Sequence, residues 1–150
     1  KSPGTKPIDE FYNLFKKKSV KKKICLHYIY KKNYLMENLS HKAQREINFS
    51  YCQRNNFESF LEETEIHGVD HYPNLLFYLQ NKEYKDIVMT SILCLPKKIS
   101  LRNQLLDLAK KNKIELHFAL ENKKKSNFNN RQINNFYNKI IESSKPLLEK

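Results

Sequence analysis

The sequence predicts an α/β fold: an open, mostly parallel four- to five-stranded sheet flanked by helices, with an extra N-terminal helix and a long C-terminal helix. Two observations carry this. Short apolar runs alternate with helical patterns from Lys22 onward, and such alternation argues for parallel strands joined by helical crossovers. The first run, residues 24–30, is followed by a polar loop and then by Ser40 at the head of a helical pattern. In a parallel sheet a loop so placed lies at the carboxyl end of the first strand, where ligands bind. No internal repeat is visible.

Residues 1–7 read as a tail. Residues 8–18 read as a helix, with Pro7 suited to its first turn and Ile8, Phe11, Tyr12, Leu14 and Phe15 forming an apolar stripe. The charge run 16–23 follows, either gripping phosphates or sitting as a solvated helix end. The aromatic and aliphatic run 24–30 is the first strand. Ser40 is a good N-cap, and Ala43, Ile47 and Tyr51 repeat at helical spacing until Asn55 and Asn56. Residues 57–61 form a second strand, leading into an acidic loop. Pro73 opens a helix with Leu75, Leu76 and Leu79, and residues 84–89 are a third, buried strand. After the apolar loop SILCLPKK, Ser100 caps a helix that buries Leu101, Leu105, Leu108 and Ala109. Residues 114–120 are a fourth strand with one more polar face, through Glu115 and His117. A Lys/Asn-rich linker, 121–130, precedes an amphipathic helix that Pro146 ends or bends. Three units follow: 1–21, a tail and basic helix; 22–121, the α/β domain; 122–150, a linker and C-terminal helix.

The chain has 150 residues, enough for one domain with a real core, and 39% of them are hydrophobic. It carries 28 Lys+Arg against 16 Asp+Glu, a formal charge of +12. That charge favours polyanions, nucleic acid first and an acidic membrane surface second. The abundance of Lys and Asn equally fits an AT-rich genome. The only glycines are Gly4 and Gly68, which excludes a glycine-rich phosphate loop. Cys25, Cys52 and Cys94 are far apart in sequence and form no CxxC pair, so they read as reduced, buried residues of an intracellular, cytoplasmic protein. No apolar run has the length of a membrane span, and no signal peptide is visible. The chain opens on Lys1 rather than Met, as a domain cut from something longer would. Glu62, Glu63, Glu65, His67, Asp70 and His71 suit a divalent metal by residue type but match no defined motif. They read as a solvated acidic loop, and no metal or cofactor is expected.

From Lys22 to about Glu121 the chain resembles the N-terminal catalytic domain of the serine recombinases of the resolvase/invertase family. Their strand ending in Y-x-R-V-S is matched by YIYKKNY (residues 28–34), and their S-x-x-x-Q helix start by Ser40 and Gln44. Their E-D-x-x-x-S-G loop is approximated by EETEIHG (62–68), and their R-P-x-x-x-x-L-L helix start by YPNLLFYL (72–79). DIVMTSILCLPKK (86–98) stands for the strand leading to D-R-L-S-R, and LLDLAKKNKIELHF (105–118) for the approach to the next strand. The resemblance covers about two thirds of the chain.

The resemblance implies DNA cleavage by a serine, with arginines neutralising the phosphate in the transition state. Position by position that equipment is absent. The serine falls on Lys32 if Tyr28 is the strand tyrosine; it falls on Tyr34 if Tyr30 is, and Lys32 then replaces an arginine. The loop carboxylate becomes Glu63, and the arginine before the proline becomes Tyr72. The Asp-Arg pair becomes Leu93 and Cys94, and the last arginine becomes Lys97. A lysine lacks the bidentate fork of an arginine. The expectation is therefore a catalytically inactive, resolvase-like subunit, structural or associated with nucleic acid, DNA rather than RNA.

The basic residues that would meet phosphates are Lys21, Lys22, Lys23, Lys31, Lys32, Lys97, Lys98, Arg102, Lys123, Lys124, Lys125 and Arg131. Ile133, Phe136, Tyr137, Ile140 and Ile141 form a stripe that packs on the domain's own sheet or on a partner helix; the resemblance favours a homodimer or a larger complex. Two alternatives stand beside this reading. One is a protein–protein interaction module. The other is an active enzyme, either a recombinase or nuclease with Tyr34 as replacement nucleophile or a metal enzyme using Glu63, His67 and His71.

Overall fold

A computed structural model describes residues 23–29, 39–65 and 71–148 of the chain. The tail, the helix expected over 8–18, most of the charge run, the loop carrying Lys31, Lys32 and Tyr34, and His67 lie outside the described residues.

Strand β1 (Lys23–Ile29) and helix α1 (His41–Arg54) form where the sequence places them. The Ser40 hydroxyl accepts the Ala43 N–H at 3.1 Å and satisfies one orphan donor of the helix. Ser40→Ala is expected to cost about 1 kcal/mol, read as a lowered denaturant midpoint; an unchanged midpoint would show that the cap contributes nothing. Strand β2 (Phe57–Thr64) runs three residues beyond the expected end. Pairing with β1 continues to Ile29 opposite Thr64, so Glu62 and Glu63 belong to an edge strand rather than a loop. An edge tolerates such charges, and they discourage pairing with other chains.

Helix α2 (Pro73–Asn81) opens on Pro73 as expected. Strand β3 (Asp86–Met89), a 3-10 turn (Ile92–Cys94) and helix α3 (Ile99–Lys111) follow. Lys98 is the N-cap of α3, and Ser100 lies inside the first turn; the expectation of Ser100 as cap is corrected. Strand β4 (Glu115–Phe118) is followed by no open linker. The chain turns back through β5 (Lys123–Lys124), antiparallel to β4, and a second 3-10 turn (Lys125–Asn127). Helix α4 (Asn130–Leu148) continues through Pro146 rather than ending there.

The sheet order is β2-β1-β3-β4-β5, with β1 to β4 parallel. Right-handed crossovers then dictate the layers. The step from β1 to β2 runs opposite to the steps from β2 to β3 and β3 to β4, so α1 covers one face and α2 and α3 cover the other. The larger core is on the α2/α3 face. Leu26, Tyr28, Ile87, Met89, Leu116 and Phe118 of the sheet meet Leu75, Leu79, Leu105, Leu106 and Ala109 there, with Ile133 and Tyr137 of α4. Phe128 and the α4 residues Ile133, Phe136, Tyr137, Ile140 and Ile141 thus belong to or pack against the same core. The α1 face is smaller: Cys25, Val88 and Ala119 against Tyr51 and Cys52, with Ile47 and Phe57 at its margin.

The chain has few glycines, so left-handed backbone falls on other residues. Asn56, Lys82, Lys113 and Asn122 take φ of 53–60° at element ends. Tyr72 does so at φ 53° while buried at the head of α2. A non-glycine residue there costs roughly 1 kcal/mol.

Candidate functional site

Connections leave the carboxyl ends of β1 and β3 toward opposite faces, and this switch point is where open α/β sheets bind ligands. The described residues at this point come from the first half of α1 and from the chain just after β3. Of the expected stripe of Ala43, Ile47 and Tyr51, Tyr51 is buried and Ile47 packs at the core margin, but beside Tyr51 the helix also turns Gln44, Asn48 and Cys52 to the sheet. The physical reason is the sheet face beneath it, which carries polar groups able to pair with them. The Thr90 hydroxyl donates to Asn48 Oδ1 at 3.0 Å and lies 3.5 Å from Gln44 Oε1. Asn48 Nδ2 donates to the Tyr28 carbonyl at 3.4 Å, and Gln44 Nε2 to the Leu39 carbonyl at 3.3 Å. Gln44, Asn48 and Thr90 are fully buried, so the crevice floor is a fixed hydrogen-bonded array.

The next turn is held by Glu121. Its carboxylate accepts the Ser91 hydroxyl at 2.9 Å and the Ile92 N–H. Burial pushes this carboxyl above its usual range, while the Ile92 and Ser91 donors oppose the shift. On the other face, the Tyr28 hydroxyl donates to Glu65 Oε1 at 2.9 Å. Glu65 also accepts the N–H groups of Asn74 (2.9 Å) and Leu75 (3.1 Å) at the head of α2. Burial and the Glu65 charge push the Tyr28 phenol well up, which suits it to donate rather than to attack.

The positions singled out by sequence do not form one constellation among the described residues. Leu93 and Cys94 lie inside the core, and burial pushes the Cys94 thiol up to about 12. Glu63 accepts from Tyr78 OH at 2.9 Å and Asn74 Nδ2 at 3.2 Å, both on α2. Tyr72 packs in the main core. Lys97 is exposed beyond Pro96, and its carbonyl accepts from Arg102. The carboxylate that meets Tyr28 is Glu65. Its distance in sequence from both Tyr28 and α2 left no local signal for it.

Several expected binding residues are corrected. Arg102 is buried, donating to the Pro96 and Lys97 carbonyls (2.9 and 3.2 Å) and to Asn134 Oδ1 (2.7 Å), so it does not offer its guanidinium to phosphate. Lys125 is buried as well, and burial lowers its ammonium from the ordinary range. Lys123 is half-buried with its ammonium over the rings of Phe128 and Phe136, at 5.0 and 4.6 Å. Lys23, Lys97, Lys98, Lys124 and Arg131 are exposed; Lys21, Lys22, Lys31 and Lys32 lie outside the described residues. Lys23 is at the amino end of β1, across the sheet from Lys97 and Lys98. The α4 stripe turns inward: Ile133 and Tyr137 are fully within the core, and Phe136, Ile140 and Ile141 pack against it. Its expected use as a partner surface is corrected for Ile133 and Tyr137.

The three cysteines are free and buried, as expected, but two of them meet. Cys25 Sγ lies 3.2 Å from Cys52 Sγ, and His27 Nε2 lies 3.1 Å from the same sulfur. The Cys25 contact and His27 lower the Cys52 thiol, whereas Cys52 and burial raise that of Cys25. Beside them, Tyr51 OH, His117 and Asp86 form a chain of two 2.8 Å hydrogen bonds through both imidazole nitrogens.

No family model and no curated protein matches the sequence. Solved structures do match the fold. The N-terminal catalytic domain of TP901-1 integrase aligns over 84% of this chain and 98% of its own, with a TM-score of 0.58 and 17% identity. A resolvase family site-specific recombinase from Streptococcus pneumoniae aligns over 85% and 94%, with a TM-score of 0.60 and 11% identity. The class is thereby defined: this is an α/β domain of the fold seen in resolvase and integrase catalytic domains. The expected resolvase-like architecture is what the chain adopts, from the first strand through the helix after the last.

Proposed function

We propose that this domain keeps the recombinase fold without its phosphodiester-cleaving centre and serves as a nucleic-acid-associated, structural subunit. The observation that supports this most is the apolar burial of Leu93 and Cys94, where the resemblance calls for an Asp-Arg pair. Phosphoryl transfer depends on cations placed around the phosphate. The chain's arginines are Arg45, Arg54, Arg102 and Arg131. Arg102 is buried, and Arg45 is forked onto Glu62, its Nη2 to Oε2 distance being 2.8 Å. The contact surface assigned by this reading is Lys97 and Lys98, with Lys31 and Lys32, which follow β1 in the sequence.

The test has two parts. Supercoiled plasmid with divalent metal is expected to stay intact; nicking that Tyr34→Phe abolishes would overturn the inactive assignment. Affinity for duplex DNA is expected to fall steeply with salt, and Lys97→Ala with Lys98→Ala should reduce the log–log salt slope by about 2. No DNA or RNA binding at low salt sinks the nucleic-acid reading and leaves a protein–protein module.

A further inference from the structure

We propose that Cys25, His27 and Cys52 form a zinc site that ties strand β1 to the C-terminal turn of α1. The two sulfurs and a ring nitrogen of His27 all lie within 4.8 Å of one another. β1 supplies Cys25 and His27 two residues apart, and alternation puts both side chains on the α1 face. The β1/β2 register shifts opposite Cys25, with the extra residue on the β2 side, so the alternation along β1 is unbroken. α1 supplies Cys52 from its last turn, and the buried stripe of that helix brings the thiol down onto the strand.

The donor set fits the ion. Zinc takes thiolate sulfur at about 2.3 Å and imidazole nitrogen at about 2.0–2.1 Å, which separates tetrahedral ligand atoms by roughly 3.5–3.8 Å. The observed 3.2 and 3.1 Å contacts need to open by only about half an ångström. Two sulfurs and one imidazole favour zinc over the hard cations that carboxylates hold. A thiol is a weak donor and a weak acceptor, so the contacts now present leave coordinating capacity unused. His117 is not a fourth ligand, since Tyr51 and Asp86 engage both of its ring nitrogens. The fourth position falls to water or an added ligand. This site faces α1, apart from Glu63 and Glu65, which meet α2 on the opposite face.

The experiment uses the full chain, purified reduced, loaded with zinc and freed of excess. One zinc per chain is expected by elemental analysis. Cobalt in its place should show thiolate-to-cobalt charge transfer and the visible bands of a tetrahedral site. Cys25→Ser, His27→Ala and Cys52→Ser should each weaken binding by more than the roughly 10- to 100-fold that loss of an outer partner costs. Cys94→Ser should bind like wild type. The cobalt spectrum needs no variant, so misfolding of a variant does not rescue the idea. It fails if the reduced, folded protein binds no stoichiometric zinc. It fails equally if the cobalt spectrum lacks sulfur charge transfer, or if the thiols yield only a Cys25–Cys52 disulfide and the reduced form ignores the metal.

Discussion

Arg102→Ala is expected to destabilise the domain by on the order of 3 kcal/mol and to leave polyanion binding by the folded protein unchanged. Arg102 is 2% exposed. It holds the Pro96 and Lys97 carbonyls of the chain after β3, reaches Asn134 of α4, and stacks 3.9 Å over the Tyr137 ring. Asn134 in turn donates to Asn103 of α3 at 2.9 Å. One side chain thus joins three segments, and its removal leaves buried carbonyl and amide oxygens unpaired. Arg102→Lys should recover little, because an ammonium lacks the planar fork and the stacking surface. Denaturant midpoints measure the loss. A variant with wild-type stability and weakened DNA binding would return Arg102 to the surface role that the sequence suggested.

Glu65→Gln is expected to cost about 2 kcal/mol. The carboxylate serves three donors at once: Tyr28 OH and the Asn74 and Leu75 amides. Tyr72, the N-cap residue of α2, provides no side-chain cap, so Glu65 supplies both acceptors and negative charge at that terminus. A glutamine keeps one acceptor and turns an N–H toward another donor. Tyr28→Phe combined with Glu65→Gln should be less than additive, with a coupling of at least about 0.5 kcal/mol. Strict additivity in denaturant titrations would mean that the two groups do not act together.

The elements legible in the sequence are those with local chemistry. Ser40 and Pro73 mark helix starts through hydrogen bonding and fixed φ, and the short apolar runs become the parallel strands. What failed depended on distant partners. Periodicity assumes that apolar residues face inward, so it put Ala43 and Ile47 on the buried side of α1. Gln44 and Asn48 are buried more deeply than either, because Thr90 and the Tyr28 carbonyl pair with them. Arg102 and Lys125 read as cations free to meet phosphate because cations are usually at the surface; only the folded loop shows the carbonyls that Arg102 serves. Cys25 and Cys52 lie 27 positions apart, a separation no motif rule covers. Among candidate site positions, the apolar character of Leu93 and Cys94 was visible directly, since it needs no partner to be read.

The unequal faces of the sheet have a consequence for how the molecule breathes. Separating α2, α3 and α4 from the strands exposes a large apolar core to water. Lifting the first turns of α1 exposes mainly Gln44, Asn48 and Thr90, whose hydrogen bonds water can replace. Such a segment belongs to the low end of the local-stability range. Sub-global opening therefore starts at the mouth of the crevice and runs toward Cys52, where the thiol contacts with β1 decide how far the helix can peel away.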